Sequence, residues 1–354
     1  GYGCATRVVE VIEAGHPVPD AAGLAATERI MALAAGAGPD DLVLALLSGG
    51  GSANWIAPAG ALTLAEKQAI TRALLRSGAA IGEINCLRKH LSRIKGGRLA
   101  ALAQPAKLVT LAISDVPHDD PSAIASGPTV PDPTTLADAR AIVAKYAIDL
   151  PASARALLDD PAMETPKPGD ALFSGASFAI IARPSDSLAA AAAAAERAGY
   201  EVVSLGADLE AEARAVAADH AGLARRLQSD GRRAAILSGG ELTVTIRGQG
   251  RGGPNQEYAL ALALALDGLR GVSAVAGDTD GTDGGAGAAS DPAGAFADCT
   301  TAARARALGL DPQAMLADND STGFFERLGD LLTPGPTLTN VNDLRAILVD
   351  GPSS

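Results

Sequence analysis

Apolar positions recur along this chain in two rhythms. Short unbroken runs of strand length alternate with stretches where small apolar residues return every three or four positions. The middle of the chain shows this most clearly. SFAIIA (177–182) predicts a strand, and Ser185 or Asp186 caps an Ala-rich helix that ends at Gly199. YEVVSL (200–205) predicts a second strand, followed by a helix from near Asp208 toward Asp230 and a third strand at 234–240. That order implies parallel pairing with right-handed crossovers. The same grammar predicts helix 20–36, strand 42–47, helices 63–80 and 88–103, and strand 107–113. A Pro-, Asp- and Thr-rich stretch from 128 to 169 interrupts it around one helical segment, 136–147. The expected architecture is α/β: two three-layer α/β domains with largely parallel sheets. Their expected ranges are residues 1–170 and 171–354.

The two halves echo each other. LVLALLSGGGSA is answered by RAAILSGGELTV, each a strand running into Ser-Gly-Gly. VTLAISDVPHDD is answered by SAVAGDTDGTDG, each a strand running into an acidic loop. Each half thus presents one glycine turn and one acidic loop at strand carboxyl ends, where parallel sheets bind ligands.

Composition narrows the picture. Aromatics make up only 3% of the 354 residues, so the core must be built from Ala, Leu, Val and Ile. The formal net charge of −12 argues against a nucleic-acid surface and fits a cytoplasmic protein. Cys4, Cys86 and Cys299 form no CxxC pair, so neither a zinc site nor a disulfide framework is indicated. No apolar stretch approaches the ~20 residues of a membrane span. The opening GYGCATRVVEVIEAG has neither an initiator Met nor a signal-peptide pattern, and is expected to lie partway into a longer protein.

Several segments carry candidate chemistry. In Ser48-Gly49-Gly50-Gly51-Ser52, consecutive amides can form an anion-binding nest, although a plain strand-to-loop turn needs no more. It is neither a Walker A loop nor a GxGxxG turn. RKHLSRIKGGRL places Arg88, Lys89, His90, Arg93, Lys95 and Arg98 in eleven positions of an acidic protein. Helical spacing would put Arg88 and Lys95 on one face toward an anion; a solvated charge run is the plainer reading. Asp115, Asp119 and Asp120 sit on a proline-containing loop that suits a magnesium ion held by one or two carboxylates, or simple turn capping. Asp278, Asp280 and Asp283 resemble half an EF-hand loop, but Ala289 stands where the closing Glu belongs, which excludes a calcium sensor. Ser238-Gly239-Gly240-Glu241 leads through a short alternating segment to a glycine-rich loop with Arg251, Asn255, Gln256 and Glu257 before a Leu/Ala helix. A guanidinium there is placed to grip phosphate or carboxylate. Asn340, Asn342 and Asp343 precede the last apolar segment as caps or ligand contacts.

Taken together, EAGHPVPDAAG, LSGGGSA, INCLRKHLSRIKGGRLA, ISDVPHDDPSAIASGPTVPDPTT, LSGGELTVTIRGQGRGGPNQE, AGDTDGTDG, DSTGFF and TNVNDLRAIL resemble the bacterial glycerate 2-kinase family, over essentially the whole chain and in order. Members carry a C-terminal MOFRL domain, here about residues 233–350, and some are labelled hydroxypyruvate reductase. The resemblance implies ATP-dependent phosphorylation of D-glycerate to 2-phosphoglycerate with Mg2+, in two α/β domains around a deep cleft. Relatives begin with several dozen further residues, including a Gly-Lys-Ala loop whose lysine is proposed as catalytic; no residue here corresponds to it. Their proposed catalytic arginine maps to Arg251, although relatives often read Arg-Asn where this chain has Pro254-Asn255.

Phosphoryl transfer asks mainly for positioning and charge neutralisation. The expectation assigns Ser48–Ser52 to a nucleotide or glycerate anion, and Arg88 and Lys95 to phosphate or carboxylate. Asp115 and Asp278 take magnesium or the hydroxyl proton, Asp120 assists as a metal ligand, and Arg251 serves the transferring phosphoryl group. Ser238, Gly239, Gly240, Glu241, Asn255, Glu257 and Asn340 are further candidate contacts. The alternatives are an NAD(P)H-dependent hydroxypyruvate reductase, whose usual dinucleotide turn is absent, and a non-catalytic anion-binding protein. A homodimer is compatible with the sequence.

Overall fold

The computed structural model describes residues 3, 5–285 and 287–351. The chain divides into two compact units, residues 1–181 and 182–354.

In the first unit, strands β1 (Leu42–Leu47), β2 (Lys107–Ile113) and β3 (Ala176–Ala182) form one sheet in that order. β1 and β2 are parallel, in register from Leu42 opposite Lys107 to Leu47 opposite Ala112. Their carboxyl ends, carrying Ser48 and Ser114, therefore lie side by side. Helices α1 (Ala21–Ala35), α2 (Gly51–Asn54), α3 (Leu64–Arg76), α4 (Ile81–His90), α5 (Arg98–Leu102), α6 (Leu136–Lys145) and α7 (Ala152–Asp159) complete the unit. Val43, with Ala34 of α1 and Leu99 of α5, packs one side of the sheet, while Leu42, Leu44 and Leu46 on the alternate positions of β1 are exposed. A separate apolar cluster joins α3, α4, α6 and α7 through Leu74, Leu87, Ile142 and Leu157.

One sequence expectation fails here with consequences for chemistry. Residues 88–103 do not form a continuous helix. α4 ends at His90, the chain turns through 91–97 with Gly96 and Gly97 at positive φ, and α5 restarts at Arg98. The Gly-Gly break outweighs the helical spacing around it. Arg88 and Lys95 consequently sit on different elements, not on one helix face.

The second unit has a six-stranded sheet in the order β4 (Glu201–Ser204), β5 (Ala234–Ser238), β9 (Asp343–Val349), β6 (Val272–Asp278), β7 (Gly294–Asp298), β8 (Leu331–Leu332). Only β4 and β5 pair in parallel; β9 runs antiparallel to both β5 and β6, and β6–β7 and β7–β8 are antiparallel. The sheet is mixed, not largely parallel. β3, expected beside β4, belongs to the first sheet. The short alternating segment after Glu241, expected to be a strand, contributes only an isolated bridge between Thr243 and Glu212.

Helices α8 (Pro184–Arg197), α9 (Ala213–Ser229) and α10 (Pro254–Ala265) sandwich this sheet, with α11 (Thr301–Ala307), α12 (Pro312–Ala317) and α13 (Ser321–Leu328) outside α10. α9 and α10 bury Ala217, Tyr258 and Leu262 against Ile236, Val272 and Ile347. α8 packs Leu188 and Ala195 on Ala235 and Leu237 of the opposite face. Because β5 and β6 both oppose β9, their carboxyl ends share one edge: Ser238 pairs with Arg345, and Asp278 with Asp343.

Ile347, 1% exposed at the centre of β9, should lose about 2–5 kcal/mol on replacement by Ala. Leu44→Ala, on the exposed side of β1, should cost less than about 1 kcal/mol. Urea unfolding of both variants checks the ranking.

Candidate active-site residues in the two units

The glycine turn after β1 is built for close approach. Gly50 has φ 79° and caps α2, and a Cβ there would lie 3.2 Å from His16 Cδ2. A Cβ on Gly51 would lie 2.7 Å from the Ala125 Cβ, so this glycine is required by packing against the 117–127 loop. That loop is itself strained: His118, Asp119, Ala125 and Ser126 all have positive φ. Ser52 Oγ meets Ser126 Oγ at 2.8 Å, and Ser126 Oγ donates to Asn85 Oδ1 at 3.4 Å, tying the turn, the loop and α4 together.

The basic run beside this turn separates into two kinds. Lys89 is buried in an ion pair with Asp132 at 3.1 Å, His90 bonds Cys86 O and Glu164, and Arg93 pairs with Glu28. Arg88 and Lys95 have no carboxylate partner among the described residues. Lys95, 1% exposed, donates from Nζ to Ser52 O at 2.9 Å. Half-buried Arg88 donates to Asn85 Oδ1 at 3.3 Å. Burial, followed by the charges of Lys67 and Arg88, holds Lys95 well below the usual lysine range. Asn85, Ser126 and Lys67 were not picked out by motif; Lys67 donates to Leu91 O at 2.8 Å and Arg88 O at 3.3 Å.

The acidic loop after β2 places Asp115 half-buried, with its carboxyl raised by burial against the opposing pull of its own amide and of His16. Asp120 is occupied differently. Its two oxygens accept from Ser122 N and Oγ at 2.8 and 3.0 Å, which is turn chemistry.

In the second unit, Gly240 has φ 89° and crosses the backbone of Leu209, so no side chain fits. Buried Arg345 organises the turn: it donates to Ser238 Oγ at 3.1 Å, to Asp343 Oδ2 at 2.9 Å and to Gly239 O. Its place two residues into a strand from a polar run gave no signal in the sequence. Glu241 is exposed. Asn255, expected as a ligand contact, bonds Asp283 and Asp343 through Nδ2 at 3.2 and 2.6 Å, while its buried Oδ1 has no hydrogen-bond partner among the described residues. Asp283 accepts the Asn255 and Gln256 amides at 3.0 and 2.8 Å, so the amino end of α10 already holds an internal carboxylate. Glu257 is buried against Arg214 at 2.6 Å and Asn319 at 2.9 Å, and is structural. Asn340 accepts from Asn342 N at 2.9 Å in a turn. Arg251 is exposed and reaches Glu326 at 3.0 Å, on a loop tied to Asp320 and Thr322.

Asp278 stands apart. Burial first, and then the nearby carboxylates of Asp280, Asp343 and Asp283, push its carboxyl up to about 8, against one amide bond from Asp280. Asp283 is raised to about 6, mainly by burial. A carboxylate so disfavoured as a lone charge suits a cation bound with substrate phosphates. Among the described residues, no three His, Cys, Asp or Glu side chains are grouped to hold a metal alone.

The first unit holds basic side chains without a carboxylate partner among the described residues, and the second unit, by itself, holds raised carboxylates at strand ends; both are α/β in build. Residues 1–159 match the family described as a domain of unknown function (DUF4147), and 234–343 match the MOFRL family. An Agrobacterium vitis protein provisionally named a hydroxypyruvate reductase is 53% identical over 99% of this chain and 79% of its own length. A Thermotoga maritima protein named D-glycerate 2-kinase is 42% identical over 95% of this chain and 79% of its own. The crystal structure of glycerate kinase from Thermotoga maritima matches with a TM-score of 0.89 at 40% identity, covering 98% of this chain and 82% of that one. The chain belongs to the glycerate 2-kinase family with a MOFRL domain.

The Asp278 environment gives a prediction with a definite sign. Its folded value lies above the unfolded one of 3.8, so its contribution is present below about pH 4 and lost as pH rises toward 8. Asp278→Asn should therefore stabilise the ligand-free protein by on the order of 2 kcal/mol at pH 8.5, with the difference vanishing near pH 4. Thermal melts across pH check this.

Proposed function

We propose that the protein transfers the γ-phosphoryl group of ATP to the 2-hydroxyl of D-glycerate, giving 2-phosphoglycerate. The observation that carries this reading is the buried Lys95 with its neighbour Arg88. Arg88 in α4 and Lys95 in the turn before α5 are basic side chains whose acceptors are neutral oxygens, so an anion from outside would favour their charged forms. Kinship with proteins named glycerate kinase supplies the substrate class.

In this reading Arg88 and Lys95 hold the glycerate carboxylate or a phosphate, and the Ser48–Ser52 turn allows that group to approach the backbone. Asp115 is placed in the same unit to accept the hydroxyl proton, its burial bringing the carboxylate nearer to the basicity that task requires. Asp278 would hold Mg2+, which when bound neutralises phosphate oxygens of ATP. Arg251 supplies a positive charge to the transferring group, exchanging its exposed Glu326 partner for phosphate. Because Asp120, Asn255, Glu257 and Asn340 are committed to internal bonds, their part is to shape these loops. The reading places the enzyme in the cytoplasm; among the described residues no helix is long and apolar enough to cross a membrane.

The name borne by the 53%-identical relative makes reduction of hydroxypyruvate the second reading to test. ADP release with ATP, Mg2+ and D-glycerate, measured beside NADH consumption with hydroxypyruvate, separates the two. The expected result is ADP without NADH loss; the reverse refutes the kinase reading. Lys95→Met and Arg88→Met should each lower kcat/KM by about 10²–10³, the usual loss for one preorganised charge. Arg251→Ala leaving kcat unchanged would remove that residue from the mechanism.

A further inference from the structure

Lys67 lies in no motif, one turn into α3, where the Thr63–Glu66 capping box fixes the start of the helix. The fold buries it to 4% exposure. Its Nζ donates to the carbonyls of Arg88 and Leu91, the end of α4. Helix-end carbonyls carry partial negative charge, enough to orient an ammonium but not to neutralise one. No described carboxylate bonds it. The same holds for Lys95 on Ser52 O and Arg88 on Asn85 Oδ1. Three cationic side chains, from α3, α4 and the turn before α5, thus act on one another in a buried region whose acceptors are all neutral.

We propose that Lys67 is a third member of the first unit's anion site: it positions the Arg88 turn through the α4 carbonyls, and it takes up a proton from solvent as the substrate anion enters. The inference rests on the reading of Arg88 and Lys95 as that site. No substrate bond is made or broken in this step; the proton goes from buffer to the Nζ lone pair.

The electrostatics agree with the geometry. Burial, and then the guanidiniums of Arg88 and Arg98, push Lys67 down to about 7. The charged groups bearing on the cluster are Arg88 of α4, Lys95 of the turn and Arg98 of α5; Arg98 donates to Met163 O and feels Glu164 and Asp132. An anion beside these groups favours the charged amine and raises its pKa. At pH 8 the free Lys67 amine is mostly neutral and the complexed one charged, so binding takes up a proton. At pH 6 the amine is already charged and the uptake fades.

Isothermal titration of the full chain with D-glycerate, in buffers of different ionisation enthalpy at pH 6 and pH 8, reads this directly. The expected result is a proton uptake that is larger at pH 8 than at pH 6, the difference being the share of Lys67. Lys67→Met should lose that pH-dependent share and bind roughly tenfold more weakly, while any uptake by Lys95, also held well below the usual lysine range, remains. Wild-type binding without net uptake at pH 8, or a Lys67→Met variant with wild-type uptake and affinity, overturns the role of Lys67 and leaves the anion site standing. If D-glycerate fails to bind at both pH values, the anion-site reading falls and this inference falls with it. The wild-type comparison between the two pH values stands even if the variant does not fold.

Discussion

A buried ammonium with only carbonyl oxygens to donate to is expensive, because the interior does not repay the lost hydration. Lys95 is in that position, and the local structure is arranged to keep it there. The chain breaks its helix at Leu91, turns through two glycines at positive φ, and lays Nζ on Ser52 O. Gly51 must be small for the Ala125 loop to close over the turn, and Ser126 must adopt a positive φ for its hydroxyl to meet Ser52. Such concessions are hard to explain by stability alone. The proposed anionic substrate would account for them, its arrival favouring the charged form of Lys95 and making it a binding contact.

The second unit solves the opposite problem. It concentrates carboxylates at the strand ends and sorts them by partner. Asp343 is answered by Arg345 and Asp283 by the amides that open α10, whereas Asp278 receives one amide bond and is left the most raised of the set. Asp278 is therefore the one whose ionisation a bound cation would favour most. Asn255 Oδ1, without a hydrogen-bond partner among the described residues, lies in the same network.

Much of the fold was legible because strand signals here are short, apolar and sharply ended. β1 and β2 fall on residues 42–47 and 107–113, and the glycine turns and acidic loops stand at strand carboxyl ends as the echo between the halves implied. Pairing direction was not legible. β9 lies some 100 residues from β5 in sequence yet separates β5 from β6, and nothing local reports a partner so distant. The site was legible by residue type and not by role. Six basic residues within eleven positions look alike in sequence, and only the structure shows that Lys89, His90 and Arg93 meet carboxylates while Arg88, Lys95 and Arg98 donate to neutral oxygens. Lys67 and Arg345 were missed because a lysine in a helix and an arginine in a strand look like surface residues until the packing is known. Glu257 misled for the converse reason: a polar residue at a helix start reads as a ligand contact, and here it closes an ion pair with Arg214.

The account turns on whether the cations of the first unit exist to receive a reactant's charge. A crystal structure of the chain with D-glycerate, Mg2+ and a non-hydrolysable ATP analogue tests it most directly. The account predicts a carboxylate or phosphate oxygen within hydrogen-bonding distance of both the Arg88 guanidinium and Lys95 Nζ. Reactants bound with every anionic oxygen away from these two side chains, and Lys95 still held by Ser52 O alone, would contradict it.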